Sequence, residues 1–165
     1  MITPTAVQAG SSDADSTAVN LINGSGLRDF DFDDLNEHRA NTAYMWRSAK
    51  GDTKDWLEFD FAAPQKIATL CIWNYNDTWH THVGVQKMNI SVWTPETGWQ
   101  KIRENQSIDQ AEGGDGYDEP TILKLDAVMA QKVRFDALTN FGDPDYVGLS
   151  EVQFFTPAGP AAASP

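Results

Sequence analysis

Between Trp73 and His82 the chain reads WNYNDTWHTH. This segment holds two indoles, a phenol, two amides, a carboxylate and two imidazoles. Such groups suit a polyhydroxylated ring: an aromatic face stacks on the apolar C–H side, and amides and imidazoles exchange hydrogen bonds with the hydroxyl rim. Trp73, Asn74, Tyr75, Asn76, Trp79, His80 and His82 are therefore candidate ligand-binding residues. Trp79 stands between Asp77-Thr78 and His80-Thr81-His82, with little apolar company to bury it. Trp73 and Tyr75 admit two readings, as part of the platform or as the end of an apolar strand plugging the fold. His80-Thr81-His82 also invites a transition metal. Zinc wants three or four ligands, and His38 is the only other imidazole in the chain. Neutral, hydrogen-bonding histidines are the preferred reading.

Catalytic chemistries find less support. A glycosidase needs two carboxylates facing each other across a cleft, one of them in an apolar setting. Acidic residues are plentiful, but none is paired in that way. No G-x-S-x-G elbow is present. The Gly-rich stretch EGGDGYDE lacks the lysine of a phosphate loop and is itself anionic. The domain is expected to be non-catalytic.

These groups need a scaffold, and the alternation supplies one. WLEFDF (56–61) places Leu57, Phe59 and Phe61 on one face, and VQKMNISVW (85–93) buries Met88, Ile90 and Val92. KIATLCIWNY (66–75) is apolar on both faces, as a central strand would be. WQKIRE (99–104) answers the turn TPETG as a hairpin partner. TILKLDA (121–127), KVRFDAL (132–138, burying Val133, Phe135 and Ala137) and VGLSEVQFF (147–155) follow. No window carries a helical apolar stripe. The pattern predicts an all-β antiparallel sandwich, jelly roll or Greek key. Segments 24–43, 74–84 and 139–146 are too long for hairpin turns and are the natural seat of function.

The chain of 165 residues holds 24 acidic and 12 basic side chains, a net charge of −12. It should repel phosphate backbones and anionic membranes, so neither nucleic acid nor membrane is expected as a partner. Cys71 is the single cysteine, which excludes an intrachain disulfide, and it reads as a small buried hydrophobe. The lack of disulfides favours a bacterial source, where the Asn-x-Ser/Thr sequons at Asn23, Asn76, Asn89 and Asn105 are coincidental. No basic region followed by an apolar one opens the chain, so no signal peptide is expected in it. Residues 1–12 read as an N-terminal tail, 13–156 as the sandwich, and the Pro/Ala-rich 157–165 as a linker.

At AVNLINGSG (18–26) the sequence resembles the opening of discoidin, or coagulation-factor type C, domains. Met45-Trp46, WLEFDF, the strand ending Trp73-Asn74-Tyr75-Asn76, GVQKMNISVW, KVRFDAL and GLSEVQFF follow in the family's order. The resemblance covers about residues 14–156. It is nearest to the galactose-binding-like carbohydrate-binding modules of family 32. LINGSGL, His38 eight residues before Trp46, and WNYN are similar to a subtype of large secreted proteins of marine bacteria.

The resemblance implies a galactose-binding-domain-like jelly roll without catalytic residues, binding oligo- or polysaccharide through end loops. It adds His38, and Phe141 or Tyr146 from the last long loop, to the ligand set. It implies a monomeric module, secreted and tethered to a polysaccharide-active catalytic domain. A protein-binding or adhesion module, or an inert spacer, are the alternatives. It also implies a structural Ca²⁺ held by the opening motif and a late glutamate. Asn23 replaces the usual Asp, which removes one charge, while Glu151 keeps its place, and Ser25 and Thr42 could add oxygens. Asp29, Asp31, Asp33 and Asp34 suit either an ion or a solvated face. Which sugar binds is open. The net charge leans towards neutral glycans, unless Arg28, Arg39 and Arg47 form a local basic patch.

Overall fold

A computed structural model describes residues 1–29 and 36–157. Asp31, Asp33 and Asp34, and the linker beyond Pro157, lie outside the described residues. The strands are β1 (Ala6–Ala9), β2 (Leu27–Arg28), β3 (Glu37–His38), β4 (Trp46–Arg47), β5 (Leu57–Asn74), β6 (Val85–Thr94), β7 (Gly98–Ser107), β8 (Thr121–Asn140) and β9 (Gly148–Phe155). Short 3-10 turns at Ala18–Leu21, Thr42–Tyr44 and Thr81–Val83 are the helical elements described. None is long or apolar enough to cross a membrane.

One antiparallel sheet runs β4-β9-β5-β8-β6-β7, with β1 added on β5. It turns back on itself because β5 and β8 are long and bent. WLEFDF and KIATLCIWNY, which alternation separates at Pro64, are one strand. Its register with β8 shifts between Asp60 and Gln65, where Ala62, Ala63 and Pro64 are exposed. TILKLDA and KVRFDAL are likewise the two halves of β8. Such bends are how a strand passes from one layer of a sandwich to the other. The first half of β5 pairs with β1 and the later part of β8; the second half pairs with β9 and the start of β8.

The core lies between the layers. Phe59 from one layer meets Phe154 from the other at 5.2 Å, edge to face, and meets Phe135 at 5.1 Å. Both partners and Phe59 itself are fully buried. Burying one such side chain contributes roughly 1.5–3 kcal/mol. Leu57, Phe59, Phe61, Met88, Ile90 and Val92 face inward as the alternation predicts. Ala137 does not. Its φ of 50° resets the phase of β8, so Leu138 is buried in its place. Cys71 on β5 is half-buried, and burial pushes its thiol up.

The N-terminal segment is not a tail. β1 forms an edge strand on Leu57–Asp60, Ile2 N–H donates to the Phe154 carbonyl at 2.8 Å, and the Trp46 indole donates to the Ser11 carbonyl at 3.1 Å. A four-residue edge strand buries little, so AVQA carries almost no apolar pattern to reveal it.

Candidate functional site: the β5–β6 loop and its neighbours

Beyond β5 the chain leaves the sheet, and Asp77 sets its path. One carboxylate oxygen accepts from Trp79 N–H at 3.2 Å, and the other meets His80 Nδ1 at 2.7 Å. This turn throws Trp79 outward, where the indole is 82% exposed. Two residues on, His82 Nε2 meets Asp143 Oδ2 at 3.0 Å, and the His80 and His82 rings lie 5.8 Å apart. Each imidazole thus has one nitrogen oriented by a carboxylate. In the neutral tautomers that donate to those carboxylates, His80 Nε2 and His82 Nδ1 remain as acceptors.

Two other loops flank this one. Phe141 N–H donates to the His82 carbonyl at 3.0 Å, which brings the half-buried Phe141 beside the histidines. Asp143 holds its own loop, its Oδ1 accepting from Asp145 and Tyr146 N–H at 2.8 Å each. On the other side Gln110 donates to Thr81 Oγ1 at 3.1 Å, and Gly113 packs so closely on Thr78 and Thr81 that an added Cβ would lie 2.9 Å from the Thr81 methyl.

The remaining candidates lie inside. Tyr75 is fully buried with Met45 and Val83, under a half-buried Tyr146 whose ring carries the Arg47 guanidinium at 4.4 Å. Burial pushes the Tyr75 hydroxyl up to about 12. Trp73 packs with Ala111 and Tyr117. Of the two readings open for these aromatics, the strand-end plug is the one observed: neither ring can stack on a ligand.

Asn74 and Asn76 are also fully buried, with their polar atoms engaged. Asn74 donates to the Val85 and Asp109 carbonyls at 2.8 Å each and accepts from Tyr75 N–H. Asn76 donates to the His38 and Gly114 carbonyls and accepts from Gly113 and Gly114 N–H. Both are staples of the loops and not donors to a sugar. His38 is buried too, Nδ1 against the Arg39 carbonyl at 2.9 Å, and Gly26 is pressed on it so tightly that a Cβ there would meet Nε2 at 2.2 Å. Burial lowers the His38 pKa, against backbone hydrogen bonds to Arg39 and Tyr44.

The structure therefore gathers Trp79, His80, His82 and Phe141. It adds two residues outside the sequence-derived set, Asp77 and Asp143, which aim the histidines. Asp-x-x-His at 77–80 was the visible signal for the first; the second needs the fold. Among the described residues no group of three His, Cys, Asp or Glu side chains could hold a metal.

At the opening motif, Asn23 and Glu151 line one cavity of about 240 Å³, together with Ile2, Pro4, Gly24 and Gln153. Glu151 is 2% exposed, and its Oε2 has no hydrogen-bond partner. Burial pushes this carboxyl up to about 8, against a backbone hydrogen bond from Gly24. A buried carboxylate oxygen without a partner, beside an amide side chain, fits a hard cation. Asn23 already accepts from Ser25 N–H at 2.9 Å, and neither Ser25 nor Thr42 lines the cavity.

Solved structures share this architecture. A pectin-binding carbohydrate-binding module aligns over 100% of this chain and 96% of its own, at TM-score 0.66 and 16% identity. The family 32 module of Clostridium perfringens NanJ, solved with galactose, covers 90% and 91% at TM-score 0.63 and 15% identity. The family 32 module of AlyQ, solved with 4,5-unsaturated mannuronic acid, covers 92% and 95% at TM-score 0.62 and 16% identity. No curated protein sequence matches the chain. Such identities carry the fold. The family follows from the sequence itself: the F5/8 type C domain profile matches residues 7–152, from β1 into β9. With that match spanning both layers and the loops between them, the chain belongs to the F5/8 type C domain family.

Proposed function

We propose that the domain is a non-catalytic carbohydrate-binding module that recognises its glycan at the β5–β6 loop. Trp79 is the platform, His80 and His82 accept hydrogen bonds from sugar hydroxyls, and Phe141 flanks them. The observation that carries this reading is the Trp79 indole, 82% exposed on a loop whose other large aromatics are buried. An indole held out in water by an Asx turn has no packing role to explain it. The structural neighbours described as carbohydrate-binding modules support the same class.

On this reading the module is secreted by a bacterium and holds a tethered polysaccharide-active enzyme on its substrate. A family 89 glycoside hydrolase from Clostridium perfringens, of which a segment spanning 14% of that chain aligns with this one at 21% identity, supports such an arrangement. We include a structural Ca²⁺ at Glu151, with the amide or carbonyl oxygen of Asn23 beside it. The ion would neutralise the buried carboxylate and tie the opening motif to β9.

A glycan array followed by calorimetry tests the proposal. Single-site affinity is expected in the micromolar to millimolar range, about −4 to −8 kcal/mol. Trp79→Ala should abolish it. Full affinity in that variant, or silence on glycans with capture of a protein partner, overturns the assignment.

A further inference from the structure

Resting on the sugar-binding reading, we infer that the ligand is an uncharged glycan and that carboxylates on the surrounding loops exclude uronate-containing or sulfated chains. The three loops that meet around Trp79 are residues 76–84, 109–119 and 140–147. They hold one, five and two carboxylates respectively, and no lysine or arginine. The contacts above put these loops together: Gly113 lies on Thr78, the residue before Trp79, and Phe141 is bonded to His82.

Asp109, Glu112, Asp115, Asp118 and Glu119 are all exposed. Asp115 caps Ala40 N–H at 2.9 Å, which fixes the 109–119 loop against the segment after β3. Asp77 and Asp143 are engaged by the two imidazoles, so those histidines bring no unopposed positive charge.

The arginines of the opening segments lie outside these three loops. Arg47 donates to Asp13 at 3.0 Å while stacked on Tyr146. Arg39 lies over the Tyr44 ring at 4.8 Å. Arg28 stands opposite Glu37 in the β2–β3 pair. Lys50 reaches Asp145, but only at 3.9 Å and with its side chain 73% exposed. An anion approaching Trp79 therefore meets eight carboxylates on these three loops, with no lysine or arginine on the loops themselves to offset them. A neutral ring with hydroxyls meets an indole face and imidazole acceptors at no electrostatic cost.

Affinity electrophoresis of the intact chain through gels containing neutral arabinogalactan, xylan and β-glucan, or polygalacturonate and alginate, tests this. At about 0.01 M ionic strength the Debye length is about 30 Å, so the field reaches well past the loops. Expected is Trp79-dependent retardation by at least one neutral polymer and none by either polyuronate. Neutralising three exposed carboxylates, Glu112→Gln with Asp118→Asn and Glu119→Gln, should bring out at low salt a polyuronate retardation that the wild-type chain lacks, an effect that shrinks at about 0.15 M. Trp79-dependent retardation by a polyuronate in the wild-type chain, weakening as salt rises, overturns the inference and leaves sugar binding intact. Retardation by none of the polymers, or retardation unaffected by Trp79→Ala, overturns the sugar-binding reading and this inference with it.

Discussion

Asn76 grips Gly114 from both sides: its Nδ2 donates to the Gly114 carbonyl at 2.7 Å, and its Oδ1 accepts from Gly114 N–H at 3.3 Å. The same amide accepts from Gly113 N–H at 2.9 Å and donates to the His38 carbonyl at 3.1 Å. One buried side chain thus ties the end of β5 to β3 and to the loop beside Trp79. Truncating it strands several buried backbone groups, each costing about 1–3 kcal/mol when unpaired. Asn76→Ala should lower stability by about 2–4 kcal/mol in urea unfolding. A loss below about 0.5 kcal/mol would mean that water satisfies those groups and the staple is dispensable.

His38 makes the fold sensitive to acid. Burial lowers its pKa from the ordinary value near 6.5, so the native state prefers the neutral ring. Below about pH 6.5 the unfolded chain binds a proton that the folded one resists. This contribution to stability is fully present above that pH and is lost progressively as pH falls towards the lowered native value. Stability measured from pH 7.5 down to 5 should therefore fall more steeply in the wild-type chain than in His38→Gln. Parallel curves for the two proteins would refute the assignment.

The two layers were legible wherever one strand face is buried throughout, as at Leu57, Phe59 and Phe61, because a period of two then marks the core directly. Alternation cannot report a change of phase within a strand, so Ala137 misled where its left-handed backbone moved Leu138 inward. It also cannot report a short edge strand such as β1. Exposure of Trp79 was legible from its polar neighbours. The fate of Tyr75, Asn74 and Asn76 was not. Their partners include Met45, Asp109 and Gly114, which are contributed by other parts of the chain. A buried amide looks like a ligand-binding amide until the backbone groups it satisfies are in place.

Calcium should stabilise the domain through Glu151. A ligand bound only by the native state adds RT ln(1 + [L]/Kd), about 2.7 kcal/mol at a hundredfold excess over Kd. Adding Ca²⁺ to the EDTA-treated protein should raise the melting temperature, and Glu151→Gln should remove the response. The isosteric amide keeps the cavity filled, so the variant's own melting point serves as the control for packing. An unchanged melting temperature of the wild-type chain with and without Ca²⁺ excludes the site.

Tyr75 and Trp79 should separate folding from binding, although they are four residues apart on the same segment. Tyr75 is fully enclosed by Met45 and Val83 beneath Tyr146, so Tyr75→Ala removes a core side chain and leaves a cavity. The cost should be about 3–5 kcal/mol, like that of Phe59→Ala. Trp79 buries little of its surface, so Trp79→Ala should leave the melting temperature within a degree or two, since surface substitutions usually change stability by less than about 0.5 kcal/mol. Glycan affinity should show the reverse order. Any folded Tyr75→Phe protein should bind like the wild type, because the ring never reaches solvent, while Trp79→Ala should bind nothing measurable. If Tyr75→Phe loses affinity while Trp79→Ala keeps it, the ligand site lies deeper than this loop.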